Sequence, residues 1–225
     1  MKKILIIRHV DYERLGYIPE ILSELELPFL SISLALGEDL PALSEVRGVI
    51  SMGGPMTAYE MEKFAFFSDE MAFMRAVVAA AIPILGICLG GQLLAQAFAA
   101  KVQSGERELG WLPLYRTNAY ESDPIFGGLE LPPLFQFHGD VFAQPEGSVR
   151  LIRSDLCENQ CLRVSPRAYA LQFHPDCNRE MVESVFSEYQ ERLTEQELAM
   201  IREDVEQRSM KGKEFLKEVL RRLFA

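Results

Sequence analysis

The chain alternates short apolar runs with stretches of helical period. Ile4 to Ile7 is rich in β-branched residues and reads as a buried strand. Ile18, Ile21, Leu22 and Leu25 recur at helical spacing. Phe29 to Ser33 predicts a second strand and Gly48 to Met52 a third, which runs into Gly53-Gly54-Pro55. Helical spacing returns over Asp69 to Ala81, with Met71, Met74, Val77 and Val78 on the inner face. Ile84, Leu85 and Ile87 form a fourth strand, with Pro83 at its start, where a strand tolerates proline. Strand and helix alternating at this spacing imply a parallel sheet with helices on both faces.

The pattern changes from Lys101 to Arg167. Short extended runs are separated by turn clusters such as Ser122-Asp123-Pro124, Pro132-Pro133 and Pro145-Glu146-Gly147. This reads as a mostly antiparallel continuation of the sheet. Ala168 to Phe173 is a last buried strand, ending in His174-Pro175-Asp176. The rest is helical. Met181, Val182, Val185, Phe186 and Tyr189 form one apolar stripe, and Thr194 with Glu197 matches a capping box. Phe215, Leu216, Val219, Leu220 and Leu223 form another stripe, flanked by charges of mixed sign that read as a solvated face. The expected architecture is one α/β domain over residues 1–225, with 178–225 a helical C-terminal segment. Its sheet is open and mostly parallel, with an antiparallel extension in the second half.

Candidate chemistry sits between the fourth strand and the helix after it. Gly86-Ile87-Cys88-Leu89-Gly90-Gly91 is strand, glycine-flanked cysteine, helix. The Gly-x-Ser-x-Gly elbow has this form with serine. A sharp turn holds the nucleophile in strained backbone, and the helix N-terminus behind it favours a thiolate. The alternative is a small buried core cysteine. Sites in parallel sheets form outside the carboxyl ends of strands, so Gly53-Gly54-Pro55 and Cys88 can be neighbours. A cysteine nucleophile needs a base, and the base an orienting group. Each of the three histidines is followed two residues later by aspartate: His9 with Asp11, His138 with Asp140, His174 with Asp176. Residues i and i+2 of extended chain share a side, so each pair could be a couple, and spacing alone does not choose.

Composition narrows the classes. The 225 residues are 48% hydrophobic, enough for a well-filled α/β core. A formal charge of −10 argues against a general nucleic-acid or anionic-membrane binder. No apolar run approaches the ~20 residues of a membrane span, and the N-terminal run is too short for a signal peptide. Cys88, Cys157, Cys161 and Cys177 form no paired framework, so a reducing cytoplasm is the expected compartment. The spacing of Cys157, Cys161 and Cys177 fits no compact zinc motif, so no metal and no cofactor is expected.

Gly-Ile-Cys-Leu-Gly-Gly-Gln at 86–92, with Gln-Phe-His-Pro at 172–175, resembles the class I glutamine amidotransferases. Gly53-Gly54-Pro55-Met56 is similar to that family's oxyanion loop. Phe137-His138-Gly139-Asp140 and Gly110-Trp111 are similar to stand-alone members that resemble the amidotransferase half of GMP synthase. The likeness spans residues 1–185 and implies a flavodoxin-like fold. It further implies Cys88 as nucleophile, His174 as general base and Asp176 as its orienting acid. The backbone N–H groups of Gly54 and Leu89 would form the oxyanion hole. Gly53, Gln92, His138, Gly139 and Asp140 would hold the substrate, while Trp111 would be packing. The family usually has Glu where this chain has Asp176. If the pocket has closed round the shorter acid, Asp176→Glu would lower activity, and that is the expectation. Three functions stay open. One is a glutaminase that hands ammonia to an acceptor on a separate synthetase partner. The second is a self-sufficient γ-glutamyl peptidase or hydrolase, and the third a silent regulatory module of the same fold.

Overall fold

The structure, a computed structural model, describes residues 2–10, 14–189, 191 and 193–224, and of 185–189 the backbone alone. The first half alternates as its periodicity requires: β1 (Lys3–Arg8), α1 (Ile18–Glu24), β2 (Phe29–Ser33), β3 (Val46–Ser51), α2 (Phe66–Ala79), β4 (Ile84–Ile87) and α3 (Leu89–Ala97). The second half is richer in strands: β5 (Val102–Leu112), β6 (Tyr115–Arg116), β7 (Leu134–Phe142), β8 (Val149–Arg153), β9 (Cys161–Ser165) and β10 (Ala168–Leu171). Three helices close the chain: α4 (Arg179–Tyr189), α5 (Glu195–Arg202) and α6 (Val205–Phe224).

An eight-stranded sheet runs in the order β2-β1-β3-β4-β10-β9-β8-β6 among the described residues. From β2 to β10 neighbours are parallel, and from β10 to β6 they are antiparallel. Strand β1 shows why its sequence is uniformly apolar. Ile4 and Ile6 face a core shared with α1 and α6, and Leu5 and Ile7 face one shared with α2 and α3. Both faces are covered, so the usual apolar–polar alternation is lost. On α2, Met71, Met74 and Val77 are buried as expected, while Val78 is only half-buried.

One expectation needs correcting. The stretch after Lys101 is not all a continuation of the sheet. β5 and β7 pair only with each other, as a separate two-stranded antiparallel ribbon. The ribbon meets the main sheet through the bridge between Phe135 and His174. Extended runs read alike whichever sheet they join, so pattern alone does not reveal this split. The ribbon carries residues 138–140 to the carboxyl edge of the parallel strands.

The helical tail is built into this frame. The capping box of Thr194 and Glu197 is present at the start of α5. Trp111 and Phe135 of the ribbon pack with Val182, Ile201 and Val205, and Trp111 Nε1 donates to Ile201 O at 3.2 Å. Of the first tail stripe, Val182 is buried and Met181 half-buried. The side chains of Val185, Phe186 and Tyr189 lie outside the described residues. On α6 the whole stripe Phe215, Leu216, Val219, Leu220 and Leu223 enters the core over β1, β3 and β4. Arg47 and Arg167 donate to Phe224 O and Leu223 O at 2.7 and 3.0 Å, capping carbonyls that have no partner within the helix. Lys213 bridges to Glu20 and Glu24 of α1.

A stripe this deep predicts a large cost on truncation. Leu220→Ala should lose about 2–5 kcal/mol in urea unfolding. Glu206→Ala, which breaks only an exposed ion pair with Arg179, should change stability by less than about 0.5 kcal/mol. Equal small losses would mean that α6 is a peripheral attachment.

Candidate active site

The turn from β4 into α3 is the tightest point in the fold. Cys88 caps α3 with φ +51° and ψ −109°, a conformation that a residue with a side chain rarely adopts. It is held on both sides: Cys88 N donates to Leu171 O of β10 at 2.8 Å, and Gln92 N to Cys88 O at 2.9 Å. The flanking glycines follow from close approach. A Cβ on Gly86 would lie 2.4 Å from Gly90 O, and one on Gly90 would lie 2.2 Å from Ser51 O. Only hydrogen fits at either position, so α3 can start directly against β3. Cys88 is nearly buried, 7% exposed, at the positive end of the helix.

His174 follows β10, the strand beside β4, and its N–H donates to Phe135 O at 2.8 Å. Its Nδ1 lies 3.4 Å from Asp176 Oδ1. Asp176 is wholly buried, with its main chain held by Tyr17 N at 3.0 Å. Burial opposes the imidazolium of His174. Asp176 and the Cys88 sulfur outweigh it, and hold His174 well above the ordinary histidine value. The Asp176 contact is nonetheless long for a hydrogen bond, and among the described residues neither Asp176 oxygen has a closer partner. The shorter acid falls short of the ring.

The His138–Asp140 pair does not form a couple. His138 Nε2 lies 3.2 Å from Glu108 Oε2, and its Nδ1 3.2 Å from the main-chain oxygen of Asp140. The Asp140 carboxylate turns instead towards Tyr59, whose hydroxyl donates at 3.4 Å, and burial pushes its carboxyl above the usual range. His9 bonds Gly53 O and Glu70. Asp11 lies outside the described residues. Alternation puts i and i+2 on one side, but the ribbon supplies Glu108 across the strands, register-paired with His138.

Gln92, at 3% exposed, reaches Asp140 O and Gln172 Oε1, each at 3.4 Å. Gln172 Nε2 in turn points at the Cys88 sulfur from 3.8 Å. Sequence reasoning assigns Gln172 no role, although it stands at i−2 to His174 and so shares its side of the strand. Glu70 escapes it as well. The signal there is an acid on the inner stripe of α2, between Phe67 and Met74.

These groups surround a cavity of about 460 Å³. Gly53, Gly54, Cys88, Leu89, Gln92, His138, Gly139, Asp140 and His174 all line it. Met181 and Leu193 of the tail and Arg14 and Arg107 stand at its wall, the two arginines paired with Glu180 and Glu197. All four cysteines are free and buried. Burial pushes the Cys157 thiol up to about 11 and holds those of Cys161 and Cys177 well above the ordinary range. A buried thiol beside an imidazole and at a helix N-terminus can attack a carbonyl carbon. Among the described residues, no helix is long and apolar enough to cross a membrane.

Such a fold and site define an α/β protein with a cysteine elbow. The family model for class I glutamine amidotransferases matches residues 22–188, and the chain belongs to that family. It is similar to the glutamine-hydrolysing GMP synthase subunit of Methanosarcina acetivorans, 37% identical over 142 residues. That match covers 62% of this chain and 68% of the relative. Two solved structures align over 99% of the chain. A glutamine amidotransferase of Thermotoga maritima gives a TM-score of 0.89 at 30% identity, with 98% of that chain covered. One from Methylobacillus flagellatus gives 0.92 at 27%, with 94% covered.

The His174–Asp176 geometry makes two predictions. Asp176→Asn should lower activity by more than about 10-fold, because an amide favours the wrong tautomer. Asp176→Glu adds the methylene that the 3.4 Å gap lacks, and should equal or exceed the wild type. A fall in kcat for Asp176→Glu would show that the pocket suits the shorter side chain after all. The raised His174 value also carries a sign for stability. Its contribution is fully present below the unfolded histidine pKa of about 6.5 and is lost as pH rises through the folded value. The difference in Tm between wild type and His174→Gln should therefore be larger at acidic pH than at alkaline pH. A difference that grows with pH would contradict the assignment.

Proposed function

We propose that the protein hydrolyses the γ-amide of glutamine through a thioester on Cys88 and passes the ammonia to an acceptor held by a separate synthetase partner. The observation that supports this reading is that Cys88, His174, Gly54 and Leu89 line one cavity, with His174 against the Cys88 sulfur. The Cys88 thiolate attacks the side-chain carbonyl carbon. Gly54 and Leu89 N–H groups take the charge that develops on oxygen, often the largest catalytic contribution. His174, held by Asp176, protonates the departing nitrogen. Ammonia leaves, and a γ-glutamyl thioester remains. His174, now neutral, takes a proton from water, which attacks the thioester and releases glutamate. Gln92, the Gly139-Asp140 segment, Gly53 and His138 hold the glutamyl end, and Gln172 steadies the sulfur. The dependence on a partner is supported by the relative from Methanosarcina acetivorans, whose name makes it one subunit of a larger enzyme.

A second reading is favoured by the cavity itself. At about 460 Å³, with Arg14 and Arg107 on its wall, it exceeds what the side chain of glutamine needs. A γ-glutamyl compound with a larger leaving group would fill it. Pure protein incubated with glutamine and a panel of γ-glutamyl amides and peptides separates the two. Ammonia release from glutamine supports the first reading. Release of amino acid or peptide with none of ammonia supports the second.

Both readings need the same machinery. Cys88→Ala should abolish turnover with either substrate class, and a glutamine-like electrophile should label Cys88 before Cys157, Cys161 and Cys177, as read by mass spectrometry. His174→Ala should cost more than about 100-fold, whereas His138→Ala should move KM more than kcat. Label spread evenly over the four cysteines would remove Cys88 from the reaction.

A further inference from the structure

The side chain of His9 is wholly buried and lies outside the residues that line the cavity. Its Nδ1 lies 2.7 Å from Gly53 O. A carbonyl oxygen only accepts, so the ring donates from Nδ1. Its Nε2 lies 2.9 Å from Glu70 Oε2, and Ser51 Oγ donates to Glu70 Oε1 at 2.7 Å. Glu70 and Ser51 are also wholly buried. Whether the proton between Nε2 and Glu70 sits on nitrogen or on oxygen, Nδ1 keeps its own. The donor to Gly53 O is thus fixed by the pair.

The Gly53–Gly54 peptide is trans, so its C=O and N–H point in opposite directions. Holding Gly53 O against His9 turns Gly54 N–H away from His9, towards the cavity that Gly54 lines with Cys88 and Leu89. The preceding carbonyl is held as well, since Gly90 N donates to Met52 O at 2.9 Å. Two successive peptides are therefore pinned, one by the elbow helix and one by His9.

We propose that His9 is a positioning residue for the reaction, which through the Gly53 carbonyl aims the Gly54 N–H at the developing oxyanion, with Glu70 and Ser51 fixing its ring. The proposal rests on the glutamine-hydrolysis reading for its kinetic consequence, but its geometric core does not. A histidine kept only to fill space would influence stability, and its loss would not single out one ring nitrogen.

The two ring nitrogens can be mimicked separately. In His9→Asn the amide nitrogen falls near the place of Nδ1. In His9→Gln it falls near Nε2, which keeps the Glu70 contact and loses the clamp. Removing an oxyanion donor costs about 100-fold or more, and misaiming one should cost part of that. We expect His9→Gln to lower kcat by about 10- to 100-fold with KM within about 3-fold. His9→Asn should recover most of that loss, and iodoacetamide should alkylate Cys88 at the same rate in both variants. Glu70→Gln, whose amide can still donate to Nε2, should stay above His9→Gln. Equal kcat in His9→Asn and His9→Gln, or losses that follow Tm, would overturn the proposal. Crystal structures of the two variants give a reading that does not need turnover. A Gly53–Gly54 peptide turned in His9→Gln and retained in His9→Asn supports the clamp, and the same orientation in both rejects it. If the wild type does not hydrolyse glutamine, the functional reading fails, and the peptide orientation still decides the clamp.

Discussion

The rest of the structure depends on a contact too close for any side chain. Gly90 at the start of α3 lies against Ser51 O at the end of β3, where a Cβ would be 2.2 Å away. That approach lets the helix begin within the sheet layer rather than above it. Gly90 N can then donate to Met52 O, and Cys88 N to Leu171 O on the strand at the other side. Three parallel strand ends, those of β3, β4 and β10, are locked together at one point. The strained φ of Cys88 is sustained by these bonds rather than by any preference of its own.

The elbow places a sulfur but does not enclose it. Enclosure comes from elements far away in sequence. The β5–β7 ribbon brings His138, Gly139 and Asp140 to the open side, and it hangs on the main sheet by the bridge at Phe135 and His174. Helices α4 and α5 pack on the ribbon through Trp111, Phe135, Val182 and Ile201. The tail therefore supports the wall of the site as well as the core. Residue 174 belongs to both systems, since its ring meets Cys88 and its main chain carries the ribbon.

How much of this could be read from residues alone follows from what each pattern encodes. Ile4 to Ile7 was legible as a strand because a sheet covered on both faces leaves an unbroken apolar run. Thr194 and Glu197 were legible because a capping box is local chemistry, with both partners within one turn. The glycine-cysteine-glycine turn was legible for a similar reason. Partners across the fold were not. His138 is spaced to meet Asp140 but bonds Glu108, because the register of an antiparallel ribbon has no signature in either strand. His9 bonds Glu70 from α2, 61 residues away. For His138 the short-range spacing was real and the long-range partner prevailed, since a buried imidazole takes whichever acceptor the packing delivers.

The same consideration separates the two acids of the site. Glu70 is held at both oxygens, by His9 and by Ser51, at 2.9 and 2.7 Å. Asp176 is equally buried but stands 3.4 Å from its histidine, with no closer partner for either oxygen among the described residues. A buried carboxylate without close donors is costly, and one with two short bonds is rigid. The Gly53–His9–Glu70 side of the cavity is thus the firmly organised half, and the His174 side the looser one. Donors to an oxyanion act best when they need not move. For the reaction proposed above, the Gly54 side is therefore already fixed, and the His174 side is the one that a longer acid at 176 would tighten.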